Sequence, residues 1–219
     1  MSTSAAPFGL RPVGRLDSGS LEVMRQYPIA SGYGTAIAVG DVVHLVDGGS
    51  ATTIEKQSAT GDDSTEIDIV GIFMGVSYTD PNTSQKTFST LYPASTTASD
   101  IMAYVVDDPN VLFEIQADGA PSSADDVYGK NTLLVQTAPN TSLKVSRVAL
   151  DASELSTDAQ NPIRVIDYKG GNEGDEKGTS FPVFVCKFNY HQHSSACLLY
   201  TSDAADDMQC VDLGGRRII

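Results

Sequence analysis

The sequence predicts an all-β protein: an antiparallel β-barrel or sandwich with one or two short helices and an extended N-terminal arm. Short apolar runs that suit strands follow one another at spacings of about 8–12 residues, as in many barrels and sandwiches. Clusters of Gly, Pro, Asn, Asp and Ser separate these runs and supply turn chemistry. No apolar pattern of helical period is as long as an average helix of about 11–12 residues, so long helices are not expected.

The predicted strands follow the chain from residue 23 onward. Gly71 and Gly75, inside the strongest of them, IVGIFMGVSY, indicate a bulge or the close approach of another backbone. Asp108-Pro109-Asn110 predicts either a tight hairpin or a corner between two neighbouring strands. The predicted strands are 23–30, 41–46, 51–55, 69–78, 86–92, 101–107, 111–118, 141–150, 162–168 and 182–191.

Two segments beyond residue 118 have the composition of short helices. In PSSADDVYG (121–129), Ser122 or Ser123 can cap a helix, and the aspartates suit its N-terminal end. DASELSTDA (151–159) is the second predicted helix. Acidic, glycine-containing residues at 169–180 predict a loop between the last two strands.

The chain is expected to consist of an extended arm (1–20) and a β-rich body (21–196). An alternative division of the body is a barrel over 21–120 followed by an appended β/α segment over 121–196. The arm holds Pro, Gly and Ser with few periodic apolar positions, so we expect contacts elsewhere to order it.

Residues 197–219, CLLYTSDAADDMQCVDLGGRRII, resemble a translated sequencing adapter. CLLYTSDAAD back-translates to TGT CTC TTA TAC ACA TCT GAC GCT GCC GAC, which is similar to a transposase-library adapter. VDLGGRRII back-translates to a sequence similar to the flow-cell primer that follows it. Scars of this kind are excluded from fold reasoning. We expect the segment to be an artefact of a metagenomic assembly; the alternative is a genuine acidic tail.

Charge and composition argue against several classes of function. Lys and Arg number 14 and Asp and Glu number 28, so the net charge is −14, which opposes binding to nucleic acids or anionic membranes. No apolar run approaches the about 18 residues of a membrane span, and we expect no secretory signal peptide. A chain of 219 residues can bury a large core, and its three cysteines make no disulfide framework.

The histidines and the cysteine before residue 197 offer little for catalysis or metal binding. His191 and His193 lie on one face of a predicted strand, but a metal site needs a third ligand. His44 lies in an apolar strand, which indicates a hydrogen-bonded core or interface residue. Cys186, within FPVFVCKF, is interpreted as a small buried residue rather than a nucleophile.

The acidic pairs Asp62-Asp63, Asp107-Asp108 and Asp125-Asp126 do not have the spacing of a calcium loop. Asp107-Asp108-Pro109 indicates turn chemistry, in which an Asp side chain accepts a hydrogen bond from the backbone two residues later. No nucleotide-binding, hydrolase or zinc-protease motif occurs before residue 197. We therefore predict no catalytic residue, no metal and no cofactor, and we look for function in the surfaces.

Segments spread along the chain carry a family resemblance. They are APFGLRPVG (6–14), YPIASGYGTAIAVGDVVHLV (27–46), VGIFMGVSYTDP (70–81), AYVVDDPNVLFEIQAD (103–118) and the closing stretch at 162–192. In this order they resemble a family of tailed-bacteriophage virion structural proteins, over about residues 7–192. More loosely, GDVV followed by a VGIFMGV strand is similar to the small β-barrel of head-decoration (cement) proteins.

The resemblance implies a capsid decoration protein that binds the outer head shell and stabilises it. Its partner would be the major capsid protein, with self-association into a trimer on the shell. Its location would be the outer capsid surface of the virion, after synthesis in the host cytoplasm. The N-terminal arm has the character to make the contact, with apolar anchors and with basic groups for an acidic shell. The predicted capsid-binding residues are Phe8, Leu10, Arg11, Val13 and Arg15.

Two other classes of function stay open. A phage tail, head-fibre or host-adhesion component would share the β-rich body and would occur in few copies. It would carry an aromatic groove lined by Tyr33, Tyr78, Tyr92 and Tyr104. An enzyme such as a peptidoglycan hydrolase would need two carboxylates about 5–10 Å apart, for which Asp107-Asp108 is the best candidate pair.

Overall fold

The computed structural model describes residues 4–19, 24–47, 52–60, 68–171 and 174–193. The adapter-like segment and the Asp62-Asp63 pair lie outside these residues. In this part of the chain the regular elements are all β-strands, and there is no helix long and apolar enough to span a membrane. The strands are β1 Arg11–Arg15, β2 Met24–Pro28, β3 Ile37–Ala38, β4 Val42–Asp47, β5 Thr52–Lys56, β6 Gly71–Thr79, β7 Lys86–Ser89, β8 Leu91–Tyr92, β9 Met102–Val106, β10 Val111–Gln116, β11 Asn131–Thr132, β12 Leu134–Val135, β13 Ala149–Leu150, β14 Ile163–Tyr168 and β15 Val183–Phe188.

The first large sheet has five antiparallel strands in the order β1-β10-β15-β14-β11. Strand alternation gives it two distinct faces, and Phe113 and Ile115 of β10 and Cys186 of β15 point into the core. The edge strand β1 comes from the predicted N-terminal arm. A bulge between Pro12 and Gly14 interrupts the ladder of β1 with β10.

The second large sheet has the order β2-β9-β6-β4-β5, with β7 paired to the second half of β6. Its edge strands β2 and β5 come close to each other, but no ladder joins them. Two-stranded ladders of β3 with β8 and of β12 with β13 complete the pairing. None of the sheets in the described residues closes, so the predicted barrel is wrong. The antiparallel all-β prediction is confirmed, and open sheets fit a sandwich-like arrangement.

The chain passes from the second sheet to the first at Asp108-Pro109-Asn110. Strand β9 ends at Val106 in one sheet and β10 begins at Val111 in the other, so this segment is a corner rather than a hairpin. The Asp108 carboxylate accepts the Asn110 N–H at 2.8 Å, which is the predicted turn bond. Arg15 of β1 forms an ion pair with the same carboxylate and so ties the sheet edge to the corner.

The interior consists of two groups of buried apolar side chains. The first packs under the five-stranded sheet and includes Leu10, Phe113 and Phe184. The second packs against the six-stranded sheet and includes Phe73 and Tyr92. Each large apolar side chain that is fully buried stabilises the fold by about 1.5–3 kcal/mol, so these two groups supply the main driving force.

Both predicted helices are wrong. Residues 121–129 form bends and turns. In 151–159, the Asp151 carboxylate accepts the Ser153 N–H at 2.9 Å, and Ser156 exchanges backbone hydrogen bonds with β11. Hydrogen bonds to nearby side chains and pairing with β11 therefore use backbone N–H and C=O groups that a helix would need for its own hydrogen bonds.

Candidate docking face

The predicted anchor Leu10 is a core residue. Its side chain is 2% exposed, and its N–H donates to the Gly40 carbonyl at 2.9 Å. Gly9 has a φ of 75°, and a Cβ at this position would lie 2.4 Å from the Gly40 carbonyl oxygen, so glycine is needed for the close approach. Leu10 therefore fixes the N-terminal segment to the body and is not available to a partner in this conformation.

The other predicted residues divide between the interior of the chain and its surface. Arg15 is engaged within the chain, because it pairs with Asp17 at 2.7 Å and with the corner carboxylate and is only 15% exposed. The Arg11 guanidinium lies 4.7 Å from the centre of the Phe8 ring, a cation–π contact. Val13 is 39% exposed. The structure thus leaves Phe8, Arg11 and Val13 at the surface.

Arg11 belongs to a larger surface, the face of the five-stranded sheet opposite the core. On β10, β14 and β15, half-buried or exposed residues alternate with buried ones, so the former share this second face. Lys169 follows directly after β14 and reaches over the same face. We define the outer face by Arg11, Leu112, Glu114, Arg164, Asp167, Lys169, Val185 and Lys187, where Asp167 stands opposite Val185 in the ladder of β14 with β15.

The outer face carries more basic than acidic side chains, although the chain as a whole is acidic. Arg11 stands opposite Glu114 in the ladder of β1 with β10. The Lys169 Nζ lies 3.0 Å from the Glu114 Oε2. Two carboxylates, those of Glu114 and Asp167, therefore stand against four basic side chains on this face. The apolar Leu112 and Val185 are half-buried beside these charges.

Arg164 and Lys187 place two positive charges directly opposite each other on β14 and β15. Opposite positions of an antiparallel pair are about 4.5–5.5 Å apart at Cβ, a separation at which like charges destabilise a sheet. Within the described residues, neither side chain forms a salt bridge or a hydrogen bond. The nearest acid along β14, Asp167, lies beside the bulge of that strand, and its carboxylate accepts a hydrogen bond from the Tyr168 N–H at 2.7 Å.

A second concentration of polar groups surrounds Asp107, whose side chain is 1% exposed. The Tyr27 hydroxyl donates to its Oδ2 at 2.6 Å, and Arg25 and His193 lie 3.2 and 3.4 Å from the same oxygen. Burial and the hydrogen bond to Asp107 raise the pKa of Tyr27 to about 12. Burial, with His193 nearby, lowers the pKa of His191 to about 4. In the described ranges, no three His, Cys, Asp or Glu side chains are arranged to hold a metal ion.

The predicted aromatic groove does not form. Tyr78 and Tyr92 are buried in the second core, while Tyr33 and Tyr104 line two separate grooves. Cys186 is fully buried, and burial raises the pKa of its thiol, as expected for a small core residue.

Sequence reasoning identified Arg11 but missed Arg164, Lys169 and Lys187. A signal was present, because IRVIDY and VFVCKF each contain one basic residue flanked by apolar residues that a strand would bury. Such a residue must point away from the core. That the two face each other follows only from the register of β14 with β15, which no local pattern specifies.

The chain matches no protein-family model, no curated protein and no solved structure. Its function must therefore be inferred from its surfaces and from the sequence resemblance.

Proposed function

We propose that this chain is a virion structural protein that decorates and stabilises the capsid shell of a tailed phage. The observation that carries the proposal is the N-terminal segment, in which Arg11 and Val13 lie on the edge strand β1, the half-buried Phe8 precedes it and the 50% exposed Leu16 follows it. Apolar side chains beside a strand edge suit a pocket or an extended segment of a partner protein. The segments that resemble phage virion proteins include this one.

In this proposal the partner is the major capsid protein, and the chain lies on the outer capsid surface after synthesis in the host cytoplasm. Neighbouring copies associate as a trimer on the shell. The net charge of −14 keeps free copies soluble and mutually repelling before assembly. Each added interface contributes some free energy, and the symmetry of the shell repeats it many times.

The test is quantitative peptide mass spectrometry of virus-sized particles from the source material. The tryptic peptide 131–144 is counted against peptides of the major capsid protein. A decoration protein that covers the shell gives similar copy numbers, and absence from the particles refutes the proposal. The same data test the adapter interpretation, because any peptide from beyond residue 196 would restore that segment to the protein.

A tail, head-fibre or host-adhesion component is the second candidate, favoured by a groove on the six-stranded sheet. Met24, Met74, Phe88 and Tyr104 line this groove, and Phe88 is 70% exposed. Aromatic and methionine side chains at a surface suit contact with a ligand or with another protein. A copy number far below that of the major capsid protein would favour this candidate over decoration.

A further inference from the structure

We infer that the outer face docks an acidic surface of a partner protein, with Arg164 and Lys187 as its central contacts. The inference rests on the proposed function and deepens it, because it names the surface that meets the shell and the charge of the shell patch. Sequence reasoning had placed the contact in the N-terminal segment alone. The structure joins Arg11 of that segment to basic residues contributed by β14 and β15.

The composition of the chain does not force the Arg164–Lys187 pair. Acidic residues outnumber basic ones by 28 to 14, so a carboxylate is easy to supply. Outside the outer face, six of the eight basic side chains in the described residues have one, as Lys86 does with Asp100 and Lys130 with Asp126; the exposed Lys144 and Arg147 do not. Arg164 and Lys187 instead face each other at a cost in stability. Local rules are broken in this way mainly where a function requires it.

The outer face combines charge with apolar area. Leu112 and Val185 are half-buried, and Val13 at the sheet edge is 39% exposed. A protein interface needs apolar contact as well as charge, since exposed ion pairs alone contribute little. A carboxylate between Arg164 and Lys187 would pair with both and would remove the repulsion between them. Both effects favour association.

The occupant is a different acidic protein rather than a nucleic acid or the same face of a second copy. A duplex would bring many phosphates to a chain whose net charge is −14, and outside the outer face they would be repelled. A two-fold dimer through this face would place the basic patch of one copy against the same patch of the other, and the like charges would repel each other. Charge complementarity therefore selects a carboxylate-rich protein surface.

Arg164→Glu separates binding from folding. In the free protein it replaces a repulsive pair with an attractive one opposite Lys187, so the melting temperature should rise by about 1–4 °C. The same change should weaken binding to an acidic partner. The matched control is Lys144→Glu with Arg147→Glu, which makes the same charge change as the double variant Arg164→Glu/Lys187→Glu at two exposed residues away from the outer face.

The experiment titrates the full chain with poly-L-glutamate at low salt and follows backbone amide NMR shifts. Shifts should centre on β10, β14 and β15. The Arg164→Glu/Lys187→Glu variant should weaken binding roughly tenfold or more, while the control pair should change it by less than about threefold. Equal weakening by both pairs, or shifts away from these strands, would overturn the inference.

Two further outcomes would also overturn it. One is tighter binding of a DNA duplex than of poly-L-glutamate through the same residues. The other is sedimentation showing a dimer of the free chain that Arg164→Glu/Lys187→Glu dissociates. Either result leaves the proposed function to be judged by the copy number in particles, so the two failures are distinguishable.

Discussion

Replacing Lys56 with methionine should be among the most damaging single substitutions in this protein. Lys56 and Asp41 form a buried ion pair at 2.8 Å, with the two side chains 7% and 0% exposed. The Lys56 ammonium also donates to the Thr137 carbonyl at 3.1 Å. The carboxylate accepts the Ser146 hydroxyl at 2.6 Å and the Ala38 N–H at 2.9 Å. The pair therefore connects β5 and the turn before β4 to residues far along the chain.

The size of the loss in stability follows from the buried carboxylate that the substitution leaves without a partner. Methionine fills much of the volume of lysine, but the Asp41 carboxylate then stays buried without a cation. Breaking a buried pair in this way costs about 3–5 kcal/mol. For a chain of this size, with an unfolding entropy near 0.4 kcal/mol/K, the melting temperature should fall by about 7–12 °C.

Calorimetry of three variants tests this reasoning. Lys86→Met breaks an exposed pair, in which the two side chains are 44% and 41% exposed, and should lower the melting temperature by about 2 °C or less. Asp41→Asn combined with Lys56→Met removes the unpaired charge and should recover part of the loss. A fall no greater for Lys56→Met than for Lys86→Met, or a double variant worse than the single one, would refute the argument.

Three further predictions concern the core and its titration. Leu10→Ala should lower the free energy of unfolding by about 2–4 kcal/mol, against about 0.5 kcal/mol or less for the exposed Leu16→Ala; equal losses in urea unfolding would place the N-terminal segment outside the core. The pKa of His191 is lowered from 6.5 to about 4, so the unfolded chain takes up this proton first as the pH falls. Stability should therefore decline between about pH 6.5 and pH 4, by up to about 3 kcal/mol, and His191→Asn should flatten the decline; an unchanged slope would contradict this. Cys186, whose thiol pKa is raised by burial, should react with iodoacetamide only after unfolding, as read from its labelled peptide; labelling of the native protein would show that the strand is open.

The sequence predicted the strands that are short apolar runs between turn residues. MAYVV is a short apolar run and VLFEIQ an apolar run with polar interruptions, on the two sides of an aspartate-proline turn, so β9 and β10 could be predicted locally. Whether the turn is a hairpin or a corner depends on which sheet each strand joins, which local sequence does not specify. The short strands β3, β11 and β12 could not, because two residues pair only where another part of the chain presents an edge. Of the predicted strand at 141–150, the structure keeps only β13, as Asn140 organises a turn with Val145.

The candidate site was predictable only in part, for a similar reason. That Phe8, Arg11 and Val13 lie at the surface could be predicted because they stand in a polar, proline-containing segment. That Leu10 points inward depends on Gly9 meeting Gly40, a contact between residues far apart in the chain. The facing charges on β14 and β15 depend on strand register in the same way.

The N-terminal segment therefore has two roles that deletion cannot separate. Leu10 lies in the core, and β1 pairs with β10 and pins the corner through Arg15, so removing residues 1–20 takes away structure as well as surface. Loss of capsid attachment after deletion would carry no information about binding, because the unfolded fraction would rise too.

Only substitutions at outward-facing positions are informative. Arg11→Gln and Val13→Thr should impair attachment and change the melting temperature by about 2 °C or less, whereas Leu10→Ala should lower that temperature by about 5 °C or more. A shell-binding defect that follows the melting temperature across this set would mean that the segment acts through folding alone.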